Sequence, residues 1–189
     1  LLQAGVPGWP RIPAALRLVA GVLALWLAWL AVVQAHAVGI NFLLSVMTLV
    51  WMADIAAYFA GRTFGLRFTK NKLAPSISPG KSWEGVWGGV AGVLLLALCW
   101  VAADARFQAP VASFYTRLAS QGWWLLLLGV LFMAAMSVVG DLIESLIKRS
   151  AGVKDSSGLL PGHGGVLDRV DALLPTLPLA LMLTRLISV

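Results

Sequence analysis

Asp141, Glu144, Ser145 and Lys148 are separated by three, one and three residues. On a helix, at about 100° per residue, they fall on a stripe roughly 100° wide, so one face there is polar. Asp141 directly follows an apolar run, where a carboxylate is costly unless paired, hydrated or metal-bound. Asp168 and Asp171 stand three residues apart, on one helical face about one turn apart. A single acid at a helix start serves as a cap. Two, with Asp141 as a third, make a hard-oxygen site suited to Mg²⁺, which takes carboxylates together with water and phosphate oxygens. Between these acids, Lys148 to Asp171 reads KRSAGVKDSSGLLPGHGGVLDRVD. Its glycines and Pro161 prevent a continuous helix and leave a loop whose backbone can approach a ligand closely, with His163 between Gly162 and Gly164. A second basic stretch carries Arg62, Arg67, Lys70, Lys72 and Lys81 and is broken by Pro75, Pro79 and Gly80. Ser82 can cap the helix that follows, whose N-terminus with Lys81 beside it makes an anion site. Asp54 and Tyr58, one turn apart, point the same way out of their helix. Carboxylates for a divalent cation, bases for phosphates and glycine-rich backbone, with no nucleophile–base pair, form the pattern of phosphoryl or nucleotidyl transfer. In that chemistry the attacking oxygen belongs to a substrate.

The elements that must hold these residues are membrane helices. Of 189 residues, 60% are hydrophobic and 12% charged, about half the charge of a soluble domain, and the mean hydropathy is +0.88. This excludes a secreted disulfide scaffold, a disordered tail and a water-soluble enzyme. The lone Cys99 removes thiolate zinc sites. No charge lies between Arg17 and Asp54, long enough for two crossings of about 20 residues each. Helix one is expected over 16–35, helix two over 40–60, helix three over 83–103, and helix four from Gly122 to Arg149. Helix five begins near Asp168 and is kinked by Pro175 and Pro178. The expected fold is all-α, a polytopic membrane protein with about five crossings. The whole of 1–189 forms one membrane domain, read as the C-terminal catalytic part of a longer chain. Its opening LLQAGVPGWPRIP has no signal-peptide pattern.

Five crossings place eleven of the fourteen bases on one side, with Arg106, Arg117 and Arg185 opposite. The eleven therefore face the cytoplasm, and the net charge of +6 reflects membrane topology rather than nucleic-acid binding. Seven of the eight acids follow the bases, leaving Asp104 outside. Glu84 and Asp155 can serve simply to neutralise basic loops; Asp54 and Asp141, at the inner hydrocarbon boundary, cannot be read that way.

The segment SLIKRSAGVKDSSGLLPGHGGVLDRVD, with the upstream blocks DIAAYFAGRTFG, KLAPSISPGKSWEG and VVGDLIESLIKR, resembles the phosphatidate cytidylyltransferases, or CDP-diacylglycerol synthases, from about Val50 onward. The resemblance implies Mg²⁺-dependent transfer of a cytidylyl group from CTP to phosphatidate at the cytoplasmic face of a bacterial inner membrane, releasing pyrophosphate, within phospholipid synthesis. It implies Asp141 and Asp168 as principal metal ligands with Asp171 and Glu144 nearby. Ser145, Lys148, Arg149, Lys154 and Arg169 would contact phosphates, and His163, Gly164 and Gly165 would shape the nucleotide pocket. It also favours a homodimer; Gly85, Gly88, Gly89 and Gly92 permit close helix packing either within a subunit or across a dimer. The alternatives are a CTP-dependent lipid-alcohol kinase, an ion-coupled transporter using Asp54 and Asp141, and a non-catalytic scaffold.

Overall fold

The charge-free run folds as two helices, α1 (Ala14–Val38) and α2 (Ile40–Phe64), in a computed structural model that describes residues 6–162 and 164–187. The turn between them is Gly39 alone. Its φ of 142° is a conformation that side-chain-bearing residues rarely adopt, and an added Cβ would lie 2.8 Å from Val111. Helix one therefore extends past the expected Ala35.

After α2 come a two-stranded antiparallel hairpin, β1 (Lys72–Ala74) and β2 (Ser78–Ser82), then α3 (Trp83–Phe107), α4 (Phe114–Gln121) and α5 (Trp123–Ser150). A single turn, α6 (Leu167–Val170), precedes α7 (Leu173–Ile187). Among the described residues, five helices are long and apolar enough to cross a membrane: α1, α2, α3, α5, and α6 with α7 taken as one span. The hairpin and α4 are additions to the all-α expectation. The former follows from the Pro75 and Pro79 interruptions, which bar a helix there.

The proline-bearing span also departs from expectation. Helix α7 runs unbroken through Pro178, and the interruption falls at Asp171–Ala172. Pro175 has no N–H to give the Asp171 carbonyl, which instead accepts from Leu174 at 3.3 Å.

Helices α2 and α3 make the closest pairing in the molecule. A Cβ on Gly88 would lie 2.1 Å from the Ala60 Cβ, one on Gly92 2.5 Å from the Ala56 Cβ, and one on Gly89 2.9 Å from the Ala53 carbonyl. The four glycines thus seat α2 within the subunit, which settles the alternative left open by the sequence. The main core lies between α2, α4, α5 and α7, where Phe42, Leu49, Phe114, Tyr115, Met133 and Ala180 are fully buried. A smaller cluster joins Ile77 of the hairpin to Leu142 and Leu146 of α5, flanked by Val6 and Trp9 of an N-terminal 3-10 helix.

At the end of the bundle opposite the hairpin, Asp104 accepts hydrogen bonds from the Asn41 side chain (2.9 Å), the Ser113 backbone (3.0 Å) and the Thr116 hydroxyl (2.6 Å). Trp100 in turn donates to Asn41 at 3.0 Å. This network ties α2 and α3 to α4, whose N-terminus is capped by Ser113.

Candidate active site

At the hairpin end of the bundle, α2 aligns Asp54, Tyr58 and Arg62 at four-residue steps, so all three line one side of a cavity of about 390 Å³. Lys81 and Ser82 reach it from β2, and Asp141 from α5. Ser82 also caps α3 as expected, its hydroxyl accepting from the Gly85 N–H at 3.2 Å. Packing of Ile77 onto Leu142 and Leu146 seats the hairpin against α5, and Lys81 is ion-paired with Asp141. Ser145 donates weakly to Asp141, at 3.4 Å. Toward the middle of the bundle the same cavity is walled by Ala53, Gly89, Val90, Ala134 and Val138. It is therefore charged at one end and apolar at the other.

Glycine at 140 brings the last span against this wall. A Cβ there would lie 3.0 Å from the Asp171 carbonyl and 2.9 Å from Pro175. Asp54 and Asp171 both come within electrostatic reach of Asp141, although α2, α5 and the last span are far apart in sequence. Asp171 accepts from the Ala172 N–H at 2.7 Å.

Asp168 turns to different partners. It accepts from Lys148 Nζ (2.6 Å), the Ser156 N–H (2.9 Å) and hydroxyl (2.8 Å), and the Gly165 N–H (2.7 Å). The glycine-rich loop is thereby latched at both ends to the start of α6. Gly165 permits this closure, since a Cβ there would sit 2.1 Å from Ser156 Oγ. Lys148 also pairs with Glu144 at 2.5 Å, and the second oxygen of Glu144, Oε1, is buried with no hydrogen-bond partner. The latched loop borders a second, open cavity of about 420 Å³ at the surface, lined among others by Lys154, Asp155, Ser157, Gly164 and Arg169.

The residues expected to work together thus fall into three sets. Lys81, Ser82 and Asp141 share the first cavity; Lys154, Gly164 and Arg169 share the second. Lys148, Glu144 and Asp168 form a linked set beside Gly165. Arg149 is directed along the chain to the Val153 carbonyl at 3.3 Å. His163 lies outside the described residues. Among the described residues, no three His, Cys, Asp or Glu side chains close into a metal cage by themselves. Glu84, read as neutralising basic loops, binds backbone instead: Oε1 accepts from the N–H groups of Phe68 (3.1 Å) and Thr69 (2.7 Å) and from the Thr69 hydroxyl (2.9 Å). Sequence reasoning left Arg62 among the loop bases and did not single out Ser156. The position of Arg62, one turn beyond Tyr58, was the available signal.

The family model described as the cytidylyltransferase family matches residues 10–187. The chain belongs to the cytidylyltransferase family. It is 45% identical over 164 residues to the phosphatidate cytidylyltransferase of Pseudomonas aeruginosa, covering 86% of this chain and 55% of that protein. It is 46% identical over 160 residues to that of Haemophilus influenzae (85% and 50%) and 38% identical over 150 residues to that of Bacillus subtilis (79% and 49%). The chain spans about half the length of the curated relatives it matches. In this cytidylyltransferase-family chain, both cavities and the Lys148–Glu144–Asp168 set fall within the matched region.

Proposed function

We propose that the protein transfers the cytidylyl group of CTP to phosphatidate, giving CDP-diacylglycerol and pyrophosphate, at the cytoplasmic face of the bacterial inner membrane. The observation that carries this reading is the first cavity: charged where Lys81, Arg62 and Asp141 meet, apolar along α2, α3 and α5. Such a cavity suits a ligand with an anionic head and a hydrocarbon body. The second cavity, with Lys154, Arg169 and glycine backbone, suits a nucleotide triphosphate. The names of the relatives point to the same two substrates.

In this mechanism a phosphate oxygen of phosphatidate attacks the α-phosphorus of CTP, the bond to the β-phosphate breaks, and pyrophosphate leaves. Lys81 and Ser82 orient the lipid phosphate, while Lys148, Lys154 and Arg169 neutralise the nucleotide; Ser145 and Arg149 flank them on α5. The donor chemistry suits Mg²⁺, since Asp141, Asp168, Asp171 and Glu144 offer hard oxygens and the buried Glu144 Oε1 has no hydrogen-bond partner, but among the described residues these acids do not form a cage by themselves, so substrate phosphates would have to complete the site. A bound Mg²⁺ would supply charge neutralisation on the phosphates. A homodimer belongs to the same reading; because α2 covers the α3 glycines, other helices would make its contacts.

The test uses the full chain in mixed micelles with CTP labelled at either the α- or the γ-phosphorus. Label retained on lipid from the α position is expected. Retention from the γ position would make the protein a lipid kinase, and retention of neither would remove the enzyme assignment.

A further inference from the structure

Two cations reach the charged end of the first cavity, and they are held differently. Lys81 is ion-paired with Asp141. Arg62 donates from one terminal nitrogen to the Tyr58 hydroxyl at 2.8 Å, and among the described residues no ion pair is formed by it. A guanidinium has five N–H donors in a planar fork, and a single phenol oxygen engages one of them. The partner is neutral, so the full positive charge is kept while the side chain is fixed by its i,i+4 neighbour. Arg62 is exposed and Lys81 half-buried where they line the cavity, and Asp54, on the same stripe as Arg62, lies two turns deeper.

A planar fork engages two oxygens of an anion at once, and its hold strengthens with the anion's charge and with the number of terminal oxygens open to its donors. A phosphomonoester offers three and carries up to two charges; a phosphodiester offers two and carries one. Lys81, a point charge already shared with Asp141, has no such geometric preference. The apolar wall beside Arg62 and the separate, loop-bounded cavity around Lys154 and Arg169 direct this reading to a lipid anion rather than to the nucleotide.

We propose that Arg62, positioned by Tyr58, is the specificity residue that selects a lipid bearing a terminal phosphomonoester over the phosphodiester lipids around it. The inference rests on the functional reading above, since that reading makes a lipid phosphate the acceptor. It also accounts for release of the product, whose lipid phosphate is bridged to the cytidylyl phosphorus by an anhydride oxygen and keeps only two terminal oxygens.

The test measures binding directly, so that it reads out whether or not cytidylyl transfer occurs. Full chain in neutral detergent micelles is titrated with dioctanoyl phosphatidate and with dioctanoyl phosphatidylmethanol, an anionic phosphodiester of matched tails. Wild type is expected to prefer phosphatidate by at least tenfold. Arg62→Gln should weaken phosphatidate binding about 10- to 100-fold, the loss of a hydrogen bond to a charged group, and leave the phosphodiester within about twofold. Tyr58→Phe, which preserves shape, should weaken phosphatidate about three- to tenfold. Combining it with Arg62→Gln should add nothing further, because Tyr58 acts through Arg62. Arg62→Lys should keep affinity but lose discrimination. Equal weakening of both lipids, an unchanged preference in Arg62→Gln, or additive effects of the two substitutions would each overturn the proposal. Where the wild type transfers the α-label, the KM for CTP should stay within about twofold in all three variants. A shift confined to the CTP KM would place Arg62 with the nucleotide and sink the proposal while leaving the overall reaction intact.

Discussion

Asp168 shows how much structure one carboxylate can hold. Its oxygens receive Lys148, Ser156 and Gly165, so the loop around the second cavity depends on a single negative charge at the start of α6. Asp168→Asn replaces one acceptor oxygen with a donor that faces N–H and ammonium groups. The expected result is a fall in cytidylyl transfer of about a hundredfold or more, with faster amide hydrogen exchange confined to residues 151–166 and unchanged exchange in α2 and α3. Unchanged transfer would remove Asp168 from the machinery. The acids were legible as candidates from residue type and position, because a carboxylate at the end of an apolar run needs a reason to be there. Their division of labour was not. Asp168 and Asp171 share a helical face by spacing, yet Asp168 takes Lys148 and the loop while Asp171 accepts from the adjacent Ala172 N–H, where the chain is interrupted because Pro175 cannot donate.

At the scale of elements, α2 and α3 carry most of the site's precision. The alanine face of α2 meets the glycine face of α3, and this close approach sets Asp54, Tyr58 and Arg62 opposite Ser82 and Gly85. Gly88→Ala should destabilise the protein by about 1–3 kcal/mol, the range for overpacking, as read by thermal unfolding in detergent. Ala60→Gly in the same chain should restore most of that loss, since the Ala60 Cβ is the atom that a Cβ at position 88 would meet at 2.1 Å. Gly21→Ala, with nothing within 4 Å of its Cβ, is the control and should be neutral or slightly stabilising. Helix existence and order followed from hydropathy alone. The hairpin and α4 did not, since short elements with little periodicity leave a weak signal and are fixed here by packing of Ile77, Phe114 and Tyr115.

For the whole molecule, the distribution of bases gives the bundle a direction. Lys70 lies between the second and third spans and Gln121 between the third and fourth, so a single crossing separates them. With Cys99→Ala as background, Lys70→Cys and Gln121→Cys should react with a membrane-impermeant maleimide from opposite sides of sealed vesicles, Lys70→Cys from the cytoplasmic side. Labelling of both from one side would break the five-span order, and inversion of the two would move the proposed site to the other face. Composition, the charge-free runs and the charge asymmetry between loops determined by themselves that this is a multi-span membrane protein with most of its charged residues gathered at one end, because the cost of burying charge in hydrocarbon depends on residue type and little on context. The tertiary structure alone decided which of those charges meet. Lys81 finds Asp141 only because Ile77 packs onto α5, and Arg62 enters the cavity only because glycines let α3 lie against α2. Contacts between distant segments depend on side-chain volume and backbone approach, which no local spacing encodes.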